Sequence, residues 1–140
     1  MKVNNILWED FAMAFKVDID GFKLEKCIVS LHLDVDTPND SDARFTHAGN
    51  SMEIVGRIDT NEPTCEMYRW SLLPAQDGKA YRKIKVTIMK ENETIREVSF
   101  TKAFVVDYCE TYSSESGDGI FTLRIKQKKD LNEDITVDGF

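Results

Sequence analysis

The chain has few of the residues on which catalytic and metal sites depend. It has only two histidines and three cysteines among 140 residues. Cys27, Cys65 and Cys109 are far apart and odd in number, which argues against a disulfide framework, and no C-x-x-C pair is present to hold zinc. We therefore expect free thiols, no metal site and no cofactor.

Long hydrophobic runs are also missing. No segment approaches the roughly 18 uninterrupted apolar residues of a membrane span, and Trp8-Glu9-Asp10 stands where a signal peptide has its apolar region. We expect synthesis in the cytoplasm without a signal peptide, and no membrane insertion. The net charge of −7 disfavours nonspecific binding to nucleic acid or anionic lipid.

Candidates for chemistry are correspondingly scarce. His32 and His47 are the only side chains that titrate near neutral pH, and no serine or cysteine lies in a G-x-S-x-G turn. The acidic residues between positions 34 and 42 lack the turn glycine of an EF-hand, and Pro38 occupies a ligand position, so a solvated acidic loop is favoured over a cation site. The sequence predicts a protein that is not an enzyme.

What the sequence does contain is alternation of apolar and polar residues, which predicts strands with one buried face. Asp20-Gly21 is a strong two-residue turn signal and predicts a hairpin. Glu91-Asn92-Glu93 separates the alternating segments 84–88 and 98–108, which are predicted to pair as a second hairpin. The alternating segments are 13–19, 22–25, 27–36, 52–58, 84–88, 98–108 and 121–125.

The segment 98–108 is predicted to build the core. Lys102 interrupts its apolar face, so we expect a β-bulge near Thr101 that turns this lysine outward. Asp107 is expected to face outward as well. The residues predicted to share the buried face are Val98, Phe100, Phe104, Val106 and Tyr108.

One helix is predicted, from about Glu62 to Leu73. Asn61 is a capping residue, and the proline that follows Glu62 suits a first turn. Met67 and Trp70 fall at helical spacing and are expected to cover an open side of the strands. Pro74 ends the helix.

Residues 37–50 contain Pro, Gly, Asn, Asp and Ser at a density that excludes regular structure over most of the segment. Loops of this length are usually either functional or disordered, and both alternatives stay open. Phe45 favours function, because an aromatic side chain in a polar loop needs a surface to bury against.

These elements predict one mainly β domain over residues 1–140: a small antiparallel β-barrel or sandwich of two sheets, with one short α-helix and a long extended loop. An N-terminal arm is expected at 1–10 and a C-terminal tail at 130–140.

The order of elements resembles the Hcp family, the tube protein of type VI secretion, and related contractile-tail tube proteins. Two segments carry the resemblance. They are FKVDIDGFKLEKCIVSLHLDVD at 15–36, similar to the opening hairpin of the family, and VSFTKAFVVDYCETYS at 98–113, similar to its FT-x-A-aromatic-x-V-x-Y strand. The similarity covers roughly residues 11–128.

The resemblance implies a ring-forming structural subunit, typically hexameric, whose rings stack into the inner tube of an injection system. Such a tube carries effectors, meets spike or sheath proteins, and is exported by the apparatus. Lys102 and Asp107 would be subunit contacts. The expected ring-stacking residues are Thr37, Pro38, Asn39, Asp40, Ser41, Asp42, Ala43, Arg44, Phe45, Thr46 and His47.

The alternative is a monomeric small-barrel binding module for a ligand or single-stranded nucleic acid. Two basic strand faces would form its binding stripe if they lay together. These faces lack interleaved aromatic residues, so lysines that keep an outer face soluble are favoured, and nucleic acid is not expected as a partner. The residues concerned are Arg82, Lys83, Lys85, Arg124, Lys126 and Lys128.

Overall fold

The computed structural model describes residues 12–36, 49–128 and 134–140, together with the backbone of two short strands near the N-terminus. Strands make up most of these ranges, which confirms the prediction of a mainly β, antiparallel chain with one short helix. The strands are β1 (Lys2–Val3), β2 (Ile6–Leu7), β3 (Met13–Ile19), β4 (Phe22–Leu24), β5 (Ile28–Asp36), β6 (Gly49–Arg57), β7 (Arg82–Lys90), β8 (Glu93–Ser113), β9 (Asp118–Gln127) and β10 (Thr136–Gly139). The helix is α1 (Cys65–Ser71), and a 3-10 turn follows at Gly78–Ala80.

Eight strands form one antiparallel sheet in the order β4-β3-β7-β8-β9-β6-β5, with β10 paired to β8, and the sheet does not close into a barrel. The first two strands pair only with each other. The sequence predicted two sheets. The structure has a single sheet, because β8 is 21 residues long and pairs with strands in both parts of it. Its first part pairs with β7 and β10, and its second part pairs with β9.

We call β4, β3, β7, β10 and the first part of β8 the lower half-sheet, and the second part of β8 with β9, β6 and β5 the upper half-sheet. Their inner faces pack against each other in a single hydrophobic cluster. Val17 and Ile84 come from the lower half, and Ile54 and Leu123 from the upper half, all fully buried. Burial of such side chains stabilises the fold by about 1.5–3 kcal/mol each.

The predicted bulge in β8 is present, and Lys102 is exposed as expected. Ile84 lies opposite Phe100 and Arg82 lies opposite Ala103, so β8 has one extra residue between them. Because one extra residue reverses the facing of everything after it, Ala103 is buried, whereas Phe104 is half-buried and packs edge-on against Tyr81. The prediction that Phe104 shares the buried face of Phe100 is therefore wrong.

A second bulge follows between Val105 and Asp107. It leaves Val106 exposed, contrary to the prediction that this valine is in the core, and returns Tyr108 to the inner face, where its ring stacks on Phe121. The prediction of a half-buried strand holds, but its register is broken twice.

Gln127 closes the first bulge and is 1% exposed. Its side-chain oxygen accepts a hydrogen bond from the backbone amide of Lys102 at 2.9 Å, and its amide nitrogen donates to the hydroxyl of Thr101 at 3.0 Å. The bulge would otherwise leave ladder groups unpaired, so this buried side chain supplies the partners that the neighbouring strand cannot.

The helix is shorter than predicted and starts later, at Cys65. Asn61 does not cap it, because its backbone has a positive φ of 65°. Met67 and Trp70 are buried as predicted, and the indole nitrogen of Trp70 donates to the carbonyl of Ala80 at 2.8 Å. The helix contacts β8 beside the end of β7 and so covers an open side of the sheet.

Glu62 precedes the helix and performs a different task from the one expected of it. Its carboxylate accepts hydrogen bonds from the backbone amides of Glu25, Lys26 and Cys27 at 2.7, 2.7 and 2.6 Å. Burial alone would raise the pKa of Glu62, but these bonds outweigh it and hold the pKa below its ordinary value. Glu62 therefore fixes the connection between β4 and β5.

Candidate subunit interface

The described residues contain no group of three or more histidine, cysteine, aspartate or glutamate side chains that could hold a metal ion. His32 is exposed on β5, opposite Glu53. Within the same ranges, no helix is long and apolar enough to cross a membrane.

The basic stripe needed for the nucleic-acid alternative does not form. The strands that carry its residues, β7 and β9, lie on opposite sides of β8. Arg82 turns inward, with its guanidinium 5.5 Å from the centre of the Trp70 ring. Lys85 pairs with Glu97 at 3.5 Å, and Arg124 lies 4.0 Å from Glu53. The basic residues are thus separated, and two of them are paired with acids.

The upper half-sheet has two free edges. Among the described residues, β5 pairs only with β6, so the outer side of its nine residues has no strand partner. In the same described ranges the second part of β8 pairs only with β9, and pairing on the β7 side stops at Ala103. Exposed edges of this length present rows of unpaired amides and carbonyls that can take up another chain.

Exposed apolar side chains concentrate at these two edges. On β5, Val29 is 54% exposed, because a bulge separates Ile28 from Ser30, and Val35 is 62% exposed. The sequence predicted that both valines would face the core, and the structure shows that they do not. Beside the β8 edge the exposed side chains are Val106, Tyr112 and, on the helix, Tyr68.

The two edges differ in charge. Asp34 and Asp36 are exposed on the last residues of β5. Near the first bulge of β8, Lys102 and Lys128 are exposed, and Lys126 lies opposite Phe104. The acidic end of β5 and the basic start of the β8 edge on one chain are complementary between copies.

An apolar groove of about 170 Å³ runs beside the start of the β8 edge. Its walls include Trp70, Leu73, Ala80, Phe104 and Val105. Because it lies where the helix ends and β7 starts, a chain that paired with β8 would also cover these side chains.

Two tyrosines bind one carboxylate farther along the same edge, and a third tyrosine packs against one of them. The hydroxyls of Tyr108 and Tyr112 both donate to Glu110, at 2.7 Å for Tyr112, and the Tyr68 ring lies 5.5 Å from that of Tyr108. Burial, followed by the hydrogen bond and charge of Glu110, raises the pKa of Tyr108 well above its ordinary value. The carboxylate is thus held in one orientation by two phenols.

The predicted site residues divide into two groups. Lys102 and Asp107 are exposed on β8, as expected, with Asp107 opposite Arg124. The stacking loop Thr37–His47 lies outside the described residues, so its role stays a prediction. Sequence reasoning missed the β5 edge and the tyrosine cluster. A signal for the cluster was visible at 108–112, where Tyr108 and Tyr112 each stand two residues from Glu110.

Comparison with known proteins now adds to this geometry. The sequence model of hemolysin coregulated protein Hcp (TssD) matches residues 9–138. The chain belongs to the Hcp family. Hcp proteins are tube subunits, so this chain is a structural subunit of a tube, as the resemblance implied. A comparison with curated protein sequences finds no match.

Solved Hcp structures share the fold. Hcp1 from Flavobacterium johnsoniae is 18% identical, with 91% of this chain and 96% of that chain covered and a TM-score of 0.61. Hcp1 from Salmonella typhimurium is 12% identical, with 82% and 81% covered and the same TM-score, 0.61. A chain of the sheath-tube complex of the extracellular contractile injection system PVC is 8% identical, with 90% and 88% covered and a TM-score of 0.54.

Proposed function

We propose that copies of this Hcp-family subunit assemble head to tail into a closed ring by joining the β5 edge of one copy to the free β8 edge of the next. The observation that carries the proposal is the pair of free edges at opposite ends of one half-sheet. A single edge would allow only a dimer, whereas two different edges allow every copy to contact two neighbours.

Strand direction favours this pairing. Neighbouring strands from β8 through β9 and β6 to β5 are antiparallel, so β5 runs opposite to β8. Rotation about a ring axis along the strands preserves direction, and the incoming β5 is therefore antiparallel to the β8 it meets. The joint continues the existing hydrogen-bond pattern from copy to copy.

Charge and apolar area support the same joint. Asp34 and Asp36 would approach the lysines at the β8 bulge, and the exposed Val35 would cover the groove beside Phe104. Specific interfaces usually have an apolar centre that is surrounded by complementary charges.

Beyond the single ring, we propose stacking of rings into a tube through the loop at 37–47, with six copies per ring as the family resemblance implies. Effectors, spike and sheath proteins are the proposed partners, and export by an injection apparatus is the proposed fate. The subunit is proposed to act without catalysis.

The test is the molar mass of the purified protein by size-exclusion chromatography with light scattering. A ring is expected to elute at a multiple of 16.1 kDa. The double variant Val29→Lys, Val35→Lys places charges on the β5 edge and should return the protein to its monomer mass with unchanged circular dichroism.

Val137→Lys is the matched control, because Val137 is 61% exposed on β10, away from both edges. This variant should keep the mass of the wild type. A wild type that stays monomeric across protein concentrations would reject the ring, and rings that survive the double β5 variant would reject the β5 edge as the joint.

A further inference from the structure

We infer that Glu110 is the acceptor of an ion pair between copies, and that its partner is Lys26 of the neighbouring copy. This inference rests on the proposed ring and names the contact at the upper end of its joint. Within the described ranges, neither Glu110 nor Lys26 belongs to any ion pair of its own chain.

Glu110 is prepared for a cation. Two phenol hydroxyls orient its carboxylate, one to each oxygen, and each oxygen keeps further capacity to accept a hydrogen bond. Tyr112 and Tyr68, which packs against the Tyr108 ring, have 65% and 48% of their surface exposed. Tyrosine-rich rims of this kind are typical of contact surfaces, and a lysine can pack its apolar stem on them.

The register of the upper half-sheet indicates which residue would arrive there. Ile28 lies opposite Gly56, Gly56 opposite Phe121, and Phe121 opposite Glu110. Ile28 and Glu110 are therefore the two ends of one row across the half-sheet. When copies are joined edge to edge by rotation, the end of one row meets the beginning of the next, which brings the start of β5 to the level of Glu110.

Lys26 comes two residues before Ile28, in the bend that joins β4 to β5, and so lies near this end of the row. The segment around Lys26 also lies on the same face of the sheet as Glu110, which is opposite Phe121. A Cβ atom on Gly56 would be 2.6 Å from the Phe121 ring and 2.7 Å from the Cys27 carbonyl oxygen, so the segment that carries Lys26 lies on the inner face of β6, the face to which Phe121 points.

Lys26 is also held in place. Its backbone amide donates to Glu62 at 2.7 Å, as do the amides on either side of it, whereas its side chain is exposed. A fixed backbone with an extended cationic side chain loses less conformational freedom on binding than a mobile loop does.

The experiment is a charge exchange in the full chain, measured by the protein concentration at which half of the subunits are in rings. Glu110→Lys and Lys26→Glu should each raise that concentration about tenfold or more, and the double exchange should return it to within about threefold of the wild type. Glu110→Gln, which removes the charge but keeps one oxygen that can accept from a phenol, should give a smaller shift in the same direction.

Glu115→Lys and Lys23→Glu are controls that make the same charge changes at exposed positions of the β8–β9 turn and of β4. They should leave the midpoint unchanged. Rings that form in the wild type and ignore the Glu110 and Lys26 variants, or a double exchange no better than its parents, would overturn the pair while leaving the ring intact. A wild type without rings would overturn both.

Discussion

Replacing Glu62 tests how the connection between β4 and β5 is held. Glu62→Ala leaves three backbone amides without their acceptor. Those of Glu25 and Lys26 are exposed and can turn to water, so their loss costs little, whereas the amide of Cys27 is partly buried. An unsatisfied buried donor costs about 1–3 kcal/mol, so we expect a total loss of about 2–4 kcal/mol from the roughly 5–15 kcal/mol that holds a domain together.

Glu62→Gln should cost less, about 1–2 kcal/mol, because its one remaining oxygen can still accept from Lys26 and Cys27. Urea unfolding of subunits at neutral pH measures both values. The pKa of Glu62 is below its ordinary value in the folded state, so its contribution is present above the unfolded pKa of about 4.3 and disappears as pH falls through the folded pKa. The wild type should lose that contribution on acidification, and neither variant should.

Refutation would take one of two forms. A Glu62→Ala subunit within about 0.5 kcal/mol of the wild type, the range of an ordinary surface substitution, would mean that water replaces the carboxylate at all three amides. A variant whose stability falls with acid as steeply as that of the wild type would assign the acid sensitivity to other carboxylates.

Two further predictions follow from the burial of particular side chains. Phe100→Ala should lower the free energy of unfolding by about 3–5 kcal/mol, the usual cost of truncating a buried phenylalanine. Phe104→Ala, at a half-buried position on the outer face, should cost less than half as much in the same urea titration. Equal losses would mean that Phe100 and Phe104 share one buried face after all. At pH 8, iodoacetamide should modify the exposed Cys65 and Cys109 but not Cys27, because burial, then Glu62, raises the pKa of the Cys27 thiol to about 12. Since that folded pKa lies above the unfolded value of about 8.5, the stability it confers is complete below pH 8.5 and is lost as pH rises toward 12. Mass spectrometry of the alkylated peptides checks the protection of Cys27, and early alkylation of this residue would contradict it. Unfolding of Cys27→Ala and of the wild type at alkaline pH checks the loss of stability.

Local patterns predicted the strands and turns of this fold well. Asp20-Gly21 and Glu91-Asn92 both have the positive φ of tight hairpins, and the misplaced Lys102 revealed the first bulge. The second bulge had no such signal, because Val106 is apolar and continues the alternation even though it is exposed. A bulge that puts a charged residue on the apolar face is visible in sequence, and one that puts a valine outside is not.

Longer-range roles could not be read from neighbouring residues. Glu62 is the kind of residue that favours a helix start. Only its hydrogen bonds with Lys26 and Glu25, which are 36 and 37 positions away, show that it holds the β4–β5 connection. The edges of the upper half-sheet were hidden for a similar reason: alternation shows that a strand has one buried face, but the neighbours of that strand in the sheet decide whether its sides are paired.

The length of β8 has a consequence for how the domain opens. Hydrogen bonds on both sides of its first part belong to the lower half-sheet, and those of its second part belong to the upper one. Neither half can lose β8 without removing a strand to which the other half is also paired. Exchange of the hydrogen-bonded amides in the middle of β8 therefore requires the whole domain to unfold, and protection of these amides should equal the global free energy of unfolding, while β4 and β10 exchange through local fraying.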